Sequence, residues 1–148
     1  MNPIHVPSGG GQPVNILGIP MLIRVHGSDT NGTLAVVESH DVQGGGPPPH
    51  IHHREDETFQ IIEGEYEFSV GGKTLRATPG TTLFAPRGIP HTYRCTSPNG
   101  GKLSVVLTPS GFENFFAEIG AMSPQEQQNI PRVMEIAGKF GLEFLPPP

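Results

Sequence analysis

His50, His52, Glu57 and His91 are the residues of this 148-residue chain best suited to gather one metal ion. Imidazole nitrogens and a carboxylate oxygen are donors that divalent transition metals take. On a β-strand alternate side chains share a face, so His50 and His52 project together and form a chelating pair. Glu57 has the parity of Phe59 and Ile61, which directs its carboxylate inward if those two side chains face a core. His91 comes much later, just after Pro86-Arg-Gly-Ile-Pro90, a rigid stretch that fixes where the next strand begins. A fold that pairs the two regions closes a site of three imidazoles and one carboxylate. Taken alone, His50-Ile51-His52-His53 also fits a strand that keeps Ile51 inside and its histidines in water. The placing of Glu57 and His91 weighs against that. His53, of opposite parity, reads as exposed or as a supporting group, and Glu55, Asp56 and Arg87 read as surface residues. His5, His26 and His40 have no partner pattern.

The elements that must position these residues are short. Candidate strands run over Met21–Val25, Leu34–His40, Ile51–His53, Thr58–Ile62, Tyr66–Val70, Lys73–Ala77, Thr81–Phe84, His91–Cys95 and Lys102–Leu107. Glu63-Gly64 and Gly71-Gly72 join strand-like runs, and Gly-Gly suits a two-residue hairpin because glycine tolerates positive φ. The last third changes character. Phe112, Phe115, Phe116 and Ile119 recur at helical spacing, Ser123-Pro-Gln-Glu126 reads as a helix start, and a further helix over Pro131–Phe140 ends at Gly141. Residues 1–13 read as a loose lead-in, 14–110 as the β unit, and 111–148 as a helical extension packed on it. The whole is one mainly-β domain, a barrel or sandwich with short C-terminal helices.

Composition narrows the function classes. Gly (20) and Pro (17) approach the level at which disorder competes, but they fall between apolar runs, as turns between strands do. A formal charge of −5 without a Lys/Arg cluster gives no footprint for a phosphate backbone, so no nucleic acid is expected. No apolar run reaches the ~20 residues of a membrane span, and no membrane partner is expected. The single cysteine, Cys95, forms no internal disulfide and fits a reducing cytoplasm, where the protein is expected.

Two blocks carry a family resemblance. Gly44 through His50, His52 and Glu57 to Gly64 is similar, at every fixed position, to the cupin signature G-x5-H-x-H-x4-E-x6-G. Gly80 through Pro86 and Gly88 to His91 resembles the second signature, G-x5-P-x-G-x2-H-x3-N, with Cys95 in the final asparagine position. The resemblance implies a cupin-type jelly-roll β-barrel that holds one divalent metal through His50, His52, Glu57 and His91. It also implies a homodimer. In layout the chain resembles the small single-domain cupins grouped with quercetin dioxygenase. By parity Cys95 shares the face of His91 and Tyr93, so it either lines the pocket or fills the core as a small hydrophobe.

Three nitrogens and one oxygen suit Fe, Mn, Ni, Cu or Zn, and the donor set does not choose among them. Four protein ligands leave a six-coordinate ion two open positions, enough for a small-molecule substrate and dioxygen. The expected activity is therefore a quercetinase-like dioxygenase acting on a small hydroxylated aromatic or enolisable substrate, with Glu57 doubling as catalytic base. Phe59, Ile61, Phe68, Tyr93 and Cys95 are its candidate pocket residues, and Tyr66, Phe84, Val105 and Leu107 share the same apolar inner faces. The alternatives are an oxygen-independent metal-dependent isomerase or lyase, and a non-catalytic binding cupin. A sugar-phosphate substrate would want several basic residues, and only Arg54, Arg87 and Arg94 lie near the motifs.

Overall fold

A computed structural model describes residues 1–146; Pro147 and Pro148, the end of the expected extension, lie outside the described residues. Among the described residues eleven strands carry the fold: β1 (Gln12–Ile16), β2 (Ile19–Val25), β3 (Ala35–Asp41), β4 (His50–His52), β5 (Asp56–Glu63), β6 (Tyr66–Val70), β7 (Lys73–Ala77), β8 (Thr82–Ala85), β9 (His91–Cys95), β10 (Gly101–Thr108) and β11 (Leu142–Phe144). Three helices, α1 (Glu113–Gly120), α2 (Pro124–Gln127) and α3 (Ile130–Lys139), lie between β10 and β11. The strands form two antiparallel sheets, one in the order β1-β2-β3-β10-β5-β8 and the other β11-β4-β9-β6-β7. No ladder joins the sheets among the described residues, so the expected barrel takes the form of an open jelly roll.

Alternation decides which side chains fill the space between the sheets. Val37, Leu103 and Leu107 from one sheet meet Tyr66, Phe68 and Ala77 from the other, all essentially without solvent contact. Burying each large apolar side chain contributes roughly 1.5–3 kcal/mol. Phe84 departs from the inward expectation, because its neighbours Leu83 and Ala85 share the face of Glu57 while Phe84 pairs with outward Thr58.

The turns follow the glycines. Gly71 and Gly72 both have positive φ, as a hairpin turn between β6 and β7 requires. Glu63-Gly64 instead carries the chain from one sheet to the other. A Cβ at Gly46 would meet the Tyr93 carbonyl oxygen at 1.9 Å, so only glycine lets the run before β4 lie against β9. There Gly44 N–H donates to Cys95 O and Cys95 N–H to Gly45 O, each at 2.8 Å.

Two strands not among the candidates, β1 and β11, lie toward the ends of the described residues. β1 begins inside the lead-in, and Arg24 holds the preceding residues through the carbonyls of Pro7 (2.7 Å) and Gly10 (2.8 Å). The tail after Gly141 adds β11 beside β4, with Leu142 opposite His52 and Phe144 opposite His50. The helices start where expected. Ser123 caps α2 in a reciprocal capping box with Glu126, and Gly141, at φ +73°, follows the end of α3.

Candidate metal centre

The four expected ligands come from both sheets. In β4 the burial alternates, with His50 and His52 inward (5% and 3% exposed) and Ile51 half-buried on the other side. His91 opens β9 directly opposite His50, and Glu57 projects from β5 of the facing sheet. The imidazole centroids lie 4.3 Å apart for His50 and His91, 5.0 Å for His50 and His52, and 5.7 Å for His52 and His91. One donor atom from each of the four residues falls within 4.8 Å of all the others.

The outer side of each ring explains why the inner sides converge. His50 Nδ1 donates to the Pro48 carbonyl at 2.8 Å and His91 Nδ1 to the Ile89 carbonyl at 3.3 Å, which leaves Nε2 of both rings facing the cluster. His52 Nδ1 faces Glu55 Oε1 at 3.5 Å. On the inner side His91 Nε2 donates to Glu57 Oε2 at 2.6 Å, and His52 Nε2 lies 3.3 Å from Glu57 Oε1.

The electrostatics follow from this geometry. Burial, helped by the charge of His91, lowers His50 to about 4, so it is neutral at neutral pH with a lone pair to offer. Burial also works against charging Glu57 and His91. For Glu57 the attraction of His52 and the His91 hydrogen bond outweigh it and hold the carboxyl below its ordinary value. For His91 the bond to Glu57 outweighs it and raises the imidazole above its ordinary value. His91 and Glu57 thus favour each other's charged forms through the 2.6 Å contact, and a divalent ion held by the cluster would take the place of that pairing. Three converging Nε2 atoms, two of them on rings anchored through Nδ1, and a buried carboxylate make a donor set that suits such an ion.

A cavity of about 170 Å³ opens onto the cluster. Of the candidate pocket residues, Phe59 and Tyr93 line it, whereas Ile61, Phe68 and Cys95 pack in the core beyond its wall. Cys95 is fully buried beside Tyr66 in the β6–β9 pairing and acts as a small hydrophobe. The helical segment supplies much of the remaining wall: Phe112 meets His52 edge-on at 4.4 Å, with Phe115 and Phe116 behind it.

Three residues escaped the sequence reading. Ser39 and Asp41 line the cavity from β3, where the parity of Val37 points to them, and Asp41 accepts hydrogen bonds from Ser39 (3.0 Å) and Tyr66 (2.6 Å). Burial holds the Asp41 carboxyl above its ordinary range. Glu55, expected at the surface, is 3% exposed, because the chain bends at His53-Arg54 and turns it back under His52. His53 is exposed, 2.9 Å from Glu143 of β11. Arg87 and Asp56 pair at the surface, and no lysine or arginine lines the cavity among the described residues.

Comparison with known proteins agrees with this geometry. A model of the Cupin domain matches residues 37–107, which contain all four ligands. Quercetin 2,3-dioxygenase of Bacillus subtilis is 34% identical over 92 residues, 62% of this chain and 27% of that protein. The chain spans about half or less of the length of the curated relatives it matches. Among solved structures, KdgF from Halomonas sp. superposes with a TM-score of 0.59 at 24% identity, over 66% of this chain and 85% of that one. A predicted oxalate decarboxylase from Thermotoga maritima gives 0.65 at 20% identity, over 72% and 99%. At those identities the structures speak to fold alone. Both signature blocks, the domain match and the buried His-His-Glu-His cluster make residues 37–107 a cupin domain, and the chain is similar to small cupin-superfamily proteins.

Proposed function

We propose that this cupin is a metal-dependent dioxygenase of the quercetinase-like kind, acting on a small hydroxylated aromatic or enolisable substrate. The observation that carries the reading is a cavity whose walls are mainly aromatic and apolar and onto which three of the four clustered residues, His50, His52 and Glu57, open. Similarity to the quercetin dioxygenase of Bacillus subtilis supports it. His50, His52, Glu57 and His91 would hold one divalent ion, which when bound supplies Lewis acidity toward a substrate oxygen and, if redox active, reactivity toward dioxygen.

The chain's own residues do the rest. Phe59, Tyr93 and Phe112 offer faces and edges against which a flat ring can pack. Glu57, held ionised, accepts the proton of a substrate hydroxyl at the carboxylate oxygen that His91 now occupies. Burial of the cluster keeps water away from that transfer. Ser39 and Asp41 supply acceptors for a further substrate hydroxyl within the same cavity.

Oxygen-independent chemistry on a phosphorylated substrate is poorly served, since Arg54, Arg87 and Arg94 are exposed and none reaches the cavity lining. A homodimer and a cytoplasmic setting complete the proposal, and sedimentation of the full chain tests the first. The activity is tested by oxygen uptake of metal-loaded protein against flavonols and catechols. Uptake is expected with wild type and is expected to be lost in Glu57→Gln under conditions where that variant keeps its metal. Ligand binding by the wild type without oxygen uptake would leave a binding cupin instead.

A further inference from the structure

We infer that Glu55 is a positioning residue for His52, accepting its Nδ1–H and so presenting Nε2 to the metal. The inference rests on the metal site and not on the proposed oxygen chemistry. His50 and His91 anchor their outer nitrogens on backbone carbonyls, which no substitution removes. The outer nitrogen of His52 alone faces a side chain, Glu55, at 3.5 Å. Both His52 Nδ1 and Glu55 Oε1 are buried and without a hydrogen-bond partner among the described residues.

Leaving those two atoms unmet is costly, because a buried polar atom with no partner gives up its hydration for nothing, and loses more when charged. Arg87 feels the charge of Glu55, yet it directs its hydrogen bonds to Asp56 (3.2 and 3.1 Å) and to the Thr108 carbonyl (3.3 Å). Among the described residues His52 is thus the polar group set against Glu55 Oε1. The gap exceeds the usual ~2.9–3.0 Å by an amount that a small tilt of the ring closes. With His52 Nε2 held by an ion, that contact would close, and a carboxylate behind a metal-bound imidazole fixes its tautomer and strengthens it as a donor.

The test uses the full chain and Co²⁺ alone, with affinity read by chelator competition and the ligand field read by visible absorption. Glu55→Ala is expected to weaken Co²⁺ binding by about 10–100-fold and to shift the spectrum. Glu55→Gln, whose amide oxygen still accepts Nδ1–H, is expected to keep most of the affinity. The metal-free Tm of Glu55→Ala is expected to equal or exceed wild type, because an unmet buried carboxylate has been removed. A variant that merely disturbed packing would lower that Tm and lose affinity in both substitutions alike, which would overturn the assignment. Wild-type affinity in Glu55→Ala would also overturn it while leaving the four-ligand site intact, whereas no Co²⁺ binding by the wild type would overturn the site itself.

Discussion

At the scale of single residues, the metal-free cluster is a set of opposed proton affinities, and its pH dependence has a defined sign. His50 is lowered from 6.5 to about 4, so the folded protein resists charging it, and stability rises with pH across that interval. His91 is raised above 6.5, so its contribution is present below that value and is lost as pH climbs through the folded pKa. Glu57 is lowered below 4.5, and its contribution is lost as pH falls through the folded pKa. Together these place the cluster's best contribution to metal-free stability near pH 6.5. Bound metal favours neutral imidazoles and displaces the His91 proton, so the thermal-stability profile should move to higher pH on loading. Calorimetry of metal binding in buffers of different ionisation enthalpy should show proton release near neutrality. An unshifted profile with no released proton would mean that His91 is not displaced from Glu57. His91→Ala should lose metal yet keep a folded jelly roll, as judged by circular dichroism, because the core around Tyr66, Phe68 and Leu103 does not depend on it.

At the scale of elements, β4 is the weak link that the rest of the chain secures. Its pairing with β9 consists of His50 opposite His91, while β11 pairs with all three of its residues. The ladder is extended at both ends, by His53 N–H to Gly141 O and Leu145 N–H to Pro49 O, each at 2.9 Å. Gly88 N–H adds a further bond to His52 O at 2.8 Å. A chain ending at Gly141 should therefore lower Tm, with roughly 2–5 kcal/mol lost from the Leu142 contact alone. It should also speed amide exchange at His53 and weaken metal binding; exchange and affinity equal to the full chain would show that β4 needs no such support. This contribution was not legible in the sequence, because Leu142-Glu-Phe144 is too short for a period to register and is followed by prolines. The ligand strands were legible, because alternation over His50–His52 and from Glu57 to Ile61 ties each donor to apolar neighbours of known direction. Glu55 was misread for the same reason that Glu57 was read well: parity counts along an unbroken strand, and the bend at His53-Arg54 breaks it. Phe84 shows the companion limit, since an apolar residue on an edge strand can face outward.

At the scale of the molecule, the two sheets and the C-terminal helices place a metal-binding cluster at one part of an apolar cavity and a few polar groups, Ser39 and Asp41 among them, elsewhere on its wall. The strand and helix pattern together with the two signature blocks told the fold in advance, but the cavity's shape came from packing that links residues as distant as Ile19 and Phe144. Substrate preference belongs to that packing, whereas the claim on which everything else depends belongs to four side chains. The most direct test is elemental analysis of the untagged full chain beside His52→Ala, both purified without added metal. The wild type should carry about one equivalent of a divalent transition metal per chain, as a four-ligand site of this kind implies, and the variant should carry little. Equal metal in the two proteins, or none in a wild type that also refuses Fe²⁺, Mn²⁺, Ni²⁺, Cu²⁺ and Zn²⁺ on titration, would contradict the account.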